Sequence, residues 1–355
     1  MGKNNKKFTM YFFIIFAVVL IGIVTYNLIY DPFSVFVDTT EDAIKNKKVM
    51  PNERFIKMKY ILKNTDKYDS YLIGSCTSNF MNLDNVPYGK WYNLTFTNNT
   101  ISEMESSLKM LVKNNVKVKR VLAQIGETSL KLPEDEHQKV CARLLNYCSY
   151  PDGAKETTVF YARYLTYFPL VNPAKFDKWI DGSKNNIFKG GSFIDELPET
   201  EADMLESRAE SFENDNFGIY EAPYNPQSFE HLREMKRICD ENNIEFELFI
   251  IPEYISRYKE LDIKAFNDAK RKIVEFTPFY DFTGINKIAL DKKYWCDPIH
   301  VNDWGSKLMV ERIFFQDKSK APSLKNYGTY VTKENIEAYA RQTEKEFVEY
   351  NKTEK

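Results

Sequence analysis

An uncharged, strongly apolar stretch close to the N-terminus constrains this chain more than any other feature. Residues 10–24 read MYFFIIFAVVLIGIV, and the uncharged segment around them extends over residues 8–30. A helix of about 20 apolar residues is long enough to cross the hydrocarbon core of a bilayer. We therefore predict that residues 1–30 form a short N-terminus and a transmembrane anchor, followed by a linker and a leading helix over residues 31–66.

The charges on either side of this stretch predict its orientation. Lys3, Lys6 and Lys7 precede it, whereas the first charged residues after it are acidic. By the positive-inside rule, the N-terminus lies in the cytoplasm and the rest of the chain lies outside. We therefore predict a single-pass protein of the cell membrane with an extracytoplasmic domain. A cleaved signal peptide is the alternative, but no small-x-small cleavage site follows the apolar run.

The distribution of charged residues and of potential metal ligands argues against nucleic acid and structural zinc. The 355-residue chain has 49 basic and 51 acidic residues without a long basic block. Because a nucleic-acid-binding surface needs clustered Lys and Arg, no nucleic acid is expected as a partner. The cysteines lack CxxC spacing and the three histidines lie far apart in the sequence, which argues against a structural zinc site. Neither a metal nor an organic cofactor is expected.

Five cysteines make an odd number, so an exported chain keeps at least one of them outside any intramolecular disulfide. Two pairings stay open from the sequence. Cys76 and Cys296 could form a bridge that is structural or that masks a thiol. Cys141 and Cys148 could form a local bridge, or both could lie in the core.

Short apolar runs alternate with segments of helical periodicity after the anchor. This alternation is typical of crossover units, and it predicts an α/β domain with a parallel sheet. The predicted strands cover residues 69–74, 118–125, 244–251 and 279–282, and the predicted helices cover residues 102–113, 228–241, 265–276 and 305–315.

The same pattern predicts the organisation of the domain. We predict one catalytic domain over residues 67–326 and a helical tail over residues 327–355, on the surface or against a partner. Between residues 128 and 227 the strand and helix pattern is poor and aromatic residues cluster. We interpret residues 128–227 as an insertion that serves as a lid or a substrate platform.

Two segments place reactive side chains where α/β folds put their sites, at the end of a strand or just before a helix. The first is Gly74-Ser75-Cys76, and the second is Asp297-Pro298-Ile299-His300. Nucleophilic catalysis needs a base within hydrogen-bond reach of the nucleophile and a third group that orients the base. On a turn constrained by proline, Asp297 can fold back to Nδ1 of His300 and leave Nε2 facing a nucleophile.

Together these segments resemble the SGNH (GDSL-like) hydrolase superfamily, in which the nucleophile follows the first-block glycine by two residues and the last block reads Asp-x-x-His. The resemblance implies a flavodoxin-like three-layer α/β/α domain. It also implies that Cys76 is the nucleophile in place of the usual serine, that His300 is the base and that Asp297 orients it. A register with Ser75 as the nucleophile stays open.

The other blocks of that superfamily supply an oxyanion hole. Asn98 or Asn99 occupies the position of the second-block glycine, and Gln124 lies near the position of the third-block asparagine. The resemblance implies that these residues, together with the backbone amide of Cys76 or Ser75, stabilise the oxyanion.

The anchor, the Tyr-Asp-Pro-Phe sequence after it and the order of the blocks look most like the membrane-anchored D-alanine transfer proteins of teichoic-acid modification and their polysaccharide-acylating relatives. That resemblance implies acyl transfer, through an acyl-enzyme on Cys76, to an envelope polymer such as teichoic acid or polysaccharide. It also implies a membrane-bound O-acyltransferase as partner. An esterase or deacylase of envelope polysaccharide and a non-catalytic scaffold of a polymer-modifying complex remain the alternatives.

Overall fold

The computed structural model of the chain describes residues 3–36, 52–132, 145–168, 187–189, 192–194, 212 and 221–353. The chain divides into two compact units. The first unit comprises Met1–Tyr60 and Gln138–Lys184, and the second comprises Ile61–His137 and Asn185–Lys355.

Both units are built from short, regular elements. The helices are α1 (Lys3–Tyr30), α2 (Glu53–Lys63), α3 (Ile101–Lys113), α4 (Glu127–Lys131), α5 (Ala154–Leu165), α6 (Pro226–Glu241), α7 (Ile255–Tyr258), α8 (Ile263–Val274), α9 (Lys287–Leu290), α10 (Asp303–Phe314) and α11 (Ile336–Thr353). The strands are β1 (Ser70–Ser75), β2 (Trp91–Phe96), β3 (Arg120–Ile125), β4 (Ile187–Lys189), β5 (Ser192–Ile194), β6 (Glu245–Ile250), β7 (Phe279–Asp281), β8 (Trp295–Asp297), β9 (His300–Val301) and β10 (Thr329–Val331).

Helix α1 in the first unit is long and apolar enough to cross a membrane. Its segment Lys6–Tyr30 has 25 residues, is strongly apolar and has almost no side-chain burial against protein. The apolar span predicted over residues 8–30 is therefore one continuous helix.

Aromatic packing holds the rest of the first unit together. Phe55 of α2 stacks on Phe160 of α5 with ring centroids 4.4 Å apart. Phe33, just after the anchor, meets Tyr164 of α5 edge to face at 5.4 Å. Each such pair adds about 0.5–1.5 kcal/mol beyond simple burial. Part of the predicted insertion thus packs with the segment that follows the anchor.

The second unit is centred on a six-stranded sheet with the strand order β10-β7-β6-β3-β1-β2. The strands β2, β1, β3, β6 and β7 pair in parallel, and β10 pairs antiparallel with β7 at one edge. Leu72 of β1 lies opposite Leu122 of β3, and Ile73 of β1 lies opposite Leu94 of β2. Since parallel strands need crossover connections, their C-terminal ends meet at one edge of the sheet.

Helices cover both faces of this sheet. On one face, the buried Leu72, Leu122 and Phe249 form a core with Met309 and Ile313 of α10. Successive strand residues point to opposite faces. On the other face, helices α3 and α6 pack side by side, as do α8 and α11. The central strands are therefore largely buried on both sides, as is usual in a parallel sheet.

The predicted α/β class with a mostly parallel sheet is confirmed. Every strand and helix predicted in the second unit is present, with ends that move by no more than two residues. Helix α6 begins earlier than predicted, because the side chain of Asn225 accepts a hydrogen bond from the N–H of Gln227 and caps the helix. Ser228, the first residue of the predicted helix, lies inside the observed helix and is buried. Strand β2 was not predicted.

Two predicted regions remain, the insertion and the C-terminal tail. The predicted insertion over residues 128–227 lies largely outside the described residues, so its role as a lid or a platform is not described. The predicted helical tail over residues 327–355 begins with strand β10, and α11 then packs on α8. Asn267 of α8 donates a hydrogen bond to the carbonyl of Ala340 at 3.2 Å. The chain after residue 326 thus completes the sheet before it forms the helix.

Candidate active site

The ends of three parallel strands bring several of the predicted site residues to one cavity. Cys76 begins a short turn after β1, Asn98 and Asn99 follow β2, and Gln124 lies near the end of β3. These side chains line a cavity of about 240 Å³. Ile299, from the segment that carries the predicted base, also lines it.

Cys76, His300 and Asp297 form a hydrogen-bonded row. Sγ of Cys76 lies 3.4 Å from Nε2 of His300, and Nδ1 of His300 lies 2.7 Å from Oδ2 of Asp297. The His300 and Asp297 side chains are 12% and 19% exposed. A short contact between a largely buried imidazole and carboxylate fixes both the ring orientation and the tautomer. The row therefore has the order of nucleophile, base and orienting acid.

The turn between β8 and β9 explains how the sequence builds the base. Asp297 pairs with His300 across the two strands. Its other carboxylate oxygen, Oδ1, accepts hydrogen bonds from the backbone N–H groups of Ile299 and His300 at 2.9 and 2.8 Å. Asp297 thus stabilises the turn with one carboxylate oxygen and binds the imidazole with the other. Both contacts lie within the Asp-x-x-His segment itself.

Interactions within this row stabilise the charged forms of Asp297 and His300. Burial alone would raise the pKa of Asp297, but the hydrogen bond and positive charge of His300 lower it below its ordinary value. Burial would lower the pKa of His300, whereas the negative charge of Cys76 and the hydrogen bond and charge of Asp297 raise it to about 10. At neutral pH the negative charges of Cys76 and Asp297 therefore favour the imidazolium form of His300.

This charge state predicts an unusual pH dependence of Cys76 alkylation. With iodoacetamide, the rate in the unaltered protein is expected to change little between pH 6.5 and 8.5, because His300 stays protonated until about pH 10. In His300→Asn the rate is expected to rise about 50-fold from pH 6.5 to pH 8.5, as for an ordinary thiol with a pKa of about 8.5. Parallel profiles for the two proteins would contradict the ion pair.

The same shift sets the sign of a stability effect. The pKa of His300 in the folded chain, about 10, exceeds its ordinary value of 6.5. The contribution of protonated His300 to the free energy of unfolding is therefore complete below about pH 6.5 and is lost as the pH rises through about 10.

Gln124 holds the turn that carries Cys76, although it does so with its oxygen. Oε1 of Gln124 accepts hydrogen bonds from the backbone N–H of Ser75 at 2.8 Å and from the hydroxyls of Ser75 and Ser78 at 3.2 Å. A Cβ on Gly74 would lie 2.6 Å from that oxygen, so the motif glycine is required for this close approach. Among the described residues, no acceptor contacts Nε2 of Gln124.

Ser75 therefore fits neither of the two roles left open for it. Its hydroxyl contacts Thr77 at 2.9 Å and Gln124 at 3.2 Å, whereas His300 contacts Cys76. Its backbone N–H is committed to Gln124, so this amide is not available to an oxyanion. The structure brings Cys76, not Ser75, to the base.

Asn98 and Asn99 shape the loop between β2 and α3. Asn98 has a φ of 51°, in the left-handed region that asparagine tolerates better than most residues. Nδ2 of Asn99 donates to the carbonyl of Gly74 at 2.8 Å and ties this loop to the end of β1. Thr100 then caps α3 in a reciprocal arrangement with Glu103. The side-chain amide nitrogen of Asn99 thus ties this loop to β1, and both Asn98 and Asn99 line the cavity.

The disulfide hypotheses have different outcomes. Cys76 and Cys296 are both partly exposed thiols, so no disulfide joins them. The hypothesis of a masking bridge at Cys76 is therefore wrong for this structure. Cys148 is a buried thiol, while Cys141 lies outside the described residues.

Two charged residues in the cavity were not predicted from the sequence. Glu253 and Arg257 line it, and Nε of Arg257 lies 3.0 Å from Oε2 of Glu253. Burial raises the pKa of Glu253, and the charge of Arg257 opposes this rise. The available signal was the position of Glu253, two residues after the apolar run that forms β6, at the same sheet edge as Cys76.

Comparison with known proteins adds no relationship to this geometry. No protein-family model matches the chain. No curated protein matches it at a significant level either. The function of the chain is therefore inferred from the geometry of the site.

Proposed function

We propose that this chain is an extracytoplasmic acyltransferase of the SGNH type with a flavodoxin-like domain, in which Cys76 carries the acyl group. The observation that supports this most strongly is the row Cys76, His300 and Asp297, with heavy-atom contacts of 3.4 and 2.7 Å. Its position at the C-terminal edge of a parallel sheet, beside a cavity, is where α/β enzymes place their chemistry.

The residues divide the reaction between them as follows. The Cys76 thiolate attacks the carbonyl carbon of an acyl ester and forms a carbon–sulfur bond, while the leaving alkoxide takes a proton from Nε2 of His300. The hydroxyl of the acceptor then attacks the thioester and gives its proton back to Nε2, and the carbon–sulfur bond breaks to restore the thiolate. Asp297 keeps the ring in place for both proton transfers.

The oxyanion formed in each step needs nearby donors. Gln124 supports the proposal here, because its oxygen is engaged with Ser75 and Ser78 while its amide nitrogen has no acceptor among the described residues. Gln124 also lines the cavity beside Cys76. We assign the oxyanion to Nε2 of Gln124 and the backbone amide of Cys76, with Asn98 at the cavity wall.

The location of the chain agrees with transfer to an envelope polymer. Helix α1 would anchor the chain with its lysine-rich end in the cytoplasm and the domain outside. The resemblance to D-alanine transfer proteins suggests a D-alanyl or other O-acyl group, a teichoic acid or polysaccharide acceptor and a membrane-bound O-acyltransferase as the donor's source.

The proposal predicts a thioester on one cysteine. After brief exposure of the full-length chain in detergent to p-nitrophenyl acetate, peptide mass spectrometry is expected to find one acetyl group on Cys76. Adding glycerol as a hydroxyl acceptor is expected to remove that group faster than water alone. Cys76→Ala is expected to lose the adduct completely.

Cys296→Ala is the matched control, because Cys296 is also a partly exposed thiol and lies next to Asp297. It is expected to keep the adduct on Cys76. Equal labelling of both thiols, or an adduct on Ser75, would contradict the assignment of the nucleophile. Removal of the acetyl group by water at the same rate with and without glycerol would favour an esterase.

A further inference from the structure

We propose that the C-terminal end of α5, with Tyr167 and Phe168 after it, lies in the headgroup region on the extracytoplasmic side of the membrane. We further propose that Asn27 of α1 holds it there. This inference rests on the proposed membrane location of α1. It gives the described part of the predicted insertion a function, which is contact with the lipid surface.

The depth of Asn27 follows from the geometry of the anchor. Asn27 is the twentieth residue counted from Phe8, the first residue of the uncharged segment. Twenty helical residues at about 1.5 Å each span about 30 Å, which is the thickness of the hydrocarbon core. With Phe8 at the inner boundary, Asn27 reaches the outer boundary between acyl chains and headgroups.

Asn27 is fully buried although α1 is otherwise exposed to the surroundings. Its Nδ2 donates to the carbonyls of Leu165 and Tyr167 at 2.9 and 2.8 Å. The last carbonyls of a helix have no partner within the helix. An amide from the anchor therefore caps the end of α5, and it places that end at the depth of Asn27.

Aromatic side chains around this contact match a membrane interface. Tyr26, Tyr30 and Phe168 are 39%, 61% and 41% exposed, and Phe33 packs edge to face on Tyr167 at 4.9 Å. Exposed aromatic rings are costly in water but favourable at the headgroup level, where aromatic belts occur. The partner that this surface fits is lipid at the boundary between headgroups and acyl chains.

Photocrosslinking of the full-length chain in phosphatidylcholine vesicles tests the location. Phe168 is replaced by p-benzoylphenylalanine, and in a second protein Phe315, which is 55% exposed at the end of α10, is replaced in the same way. After irradiation, mass spectrometry is expected to find at least several times more lipid adduct at position 168 than at position 315. Equal yields, or no lipid at position 168, would overturn the proposal.

The role of Asn27 is tested in the same assay. Asn27→Ala is expected to lower the lipid adduct at position 168 several-fold, whereas Leu28→Ala, at the exposed neighbouring position, is expected to leave it unchanged. An unchanged adduct in Asn27→Ala would refute the holding role even if the location is right. Extraction of the unaltered chain from vesicles by alkaline carbonate would instead show that α1 does not span, which is a failure of the proposed membrane location and not of the contact between α1 and α5.

Discussion

Replacing His300 with Asn is expected to slow acetylation of Cys76 by p-nitrophenyl acetate about 10²- to 10⁴-fold, the usual contribution of a positioned acid or base. Nε2 of His300 is the atom that contacts Sγ, at 3.4 Å, and asparagine can neither hold nor transfer that proton. Asp297→Asn is expected to slow the same reaction as well, because it leaves the ring without a carboxylate at Nδ1. The measurement is the initial burst of p-nitrophenol from the full-length chain in detergent.

His231→Asn is the matched control for this prediction. His231 also bonds a carboxylate through Nδ1, at 2.6 Å from Glu105, but it lies on α6 and is not among the residues that line the cavity beside Cys76. The burst rate of this variant is expected to equal that of the unaltered protein. A His300→Asn protein that reacts as fast as His231→Asn would remove the base from the mechanism.

Replacing Lys270 with Met is expected to lower the free energy of unfolding by about 3–5 kcal/mol, the cost of breaking a buried ion pair on one side. Nζ of Lys270 lies 2.7 Å from Oδ2 of Asp281, and both side chains are completely buried between α8 and the sheet. Methionine fills similar space but leaves the carboxylate of Asp281 without its cation. Urea unfolding followed by tryptophan fluorescence, to which the buried Trp295 contributes, measures the loss.

The adjacent residue on α8 supplies the control. Arg271 pairs with Glu337 at 2.8 Å, but these side chains are 31% and 59% exposed. Arg271→Met is therefore expected to cost no more than about 1 kcal/mol, as for a surface ion pair. Adding Asp281→Asn to Lys270→Met removes the stranded charge and is expected to recover part of the loss. Equal losses for Lys270→Met and Arg271→Met would show that charge burial is not the cause.

Strand β2 illustrates why one element of the sheet could not be predicted. Its sequence WYNLTF alternates apolar and polar residues, yet all six residues are buried. Asn93 and Thr95 are accommodated because Asn93 donates to the carbonyl of Ser78, and Thr95 bonds the side chain of Asn79. Both partners lie on the turn after Cys76. The polar positions are therefore satisfied by tertiary contacts, which no local pattern contains.

Glu253 and Arg257 were missed for a related reason. Each looks like an ordinary surface charge in the sequence, and only the fold buries the pair at the cavity beside Cys76. A buried charge pair depends on both partners arriving at the same place. The position of Glu253 after β6 was the one local sign of its place at the active edge.

The sequence by itself determined the features that depend on neighbouring residues. The apolar composition of residues 8–30 predicts a helix that is long and apolar enough to cross a membrane, and α1 is such a helix. The apolar runs within β1 and β3 predict strands that are buried on both faces, and both strands are buried along nearly their whole length. The Asp-x-x-His turn forms because Oδ1 of Asp297 bonds the two N–H groups that follow it.

Only the tertiary structure decided which groups meet. His300 lies 224 residues from Cys76 in the chain. The packing of the β8–β9 turn against the turn after β1 brings Nε2 of His300 to 3.4 Å from Sγ of Cys76. The choice between Ser75 and Cys76 was also made there, because β1 ends at Ser75 and the turn after it directs the next side chain to the base. The local sequence favours a helix or a strand in each segment. The contacts between distant segments depend instead on how those helices and strands pack.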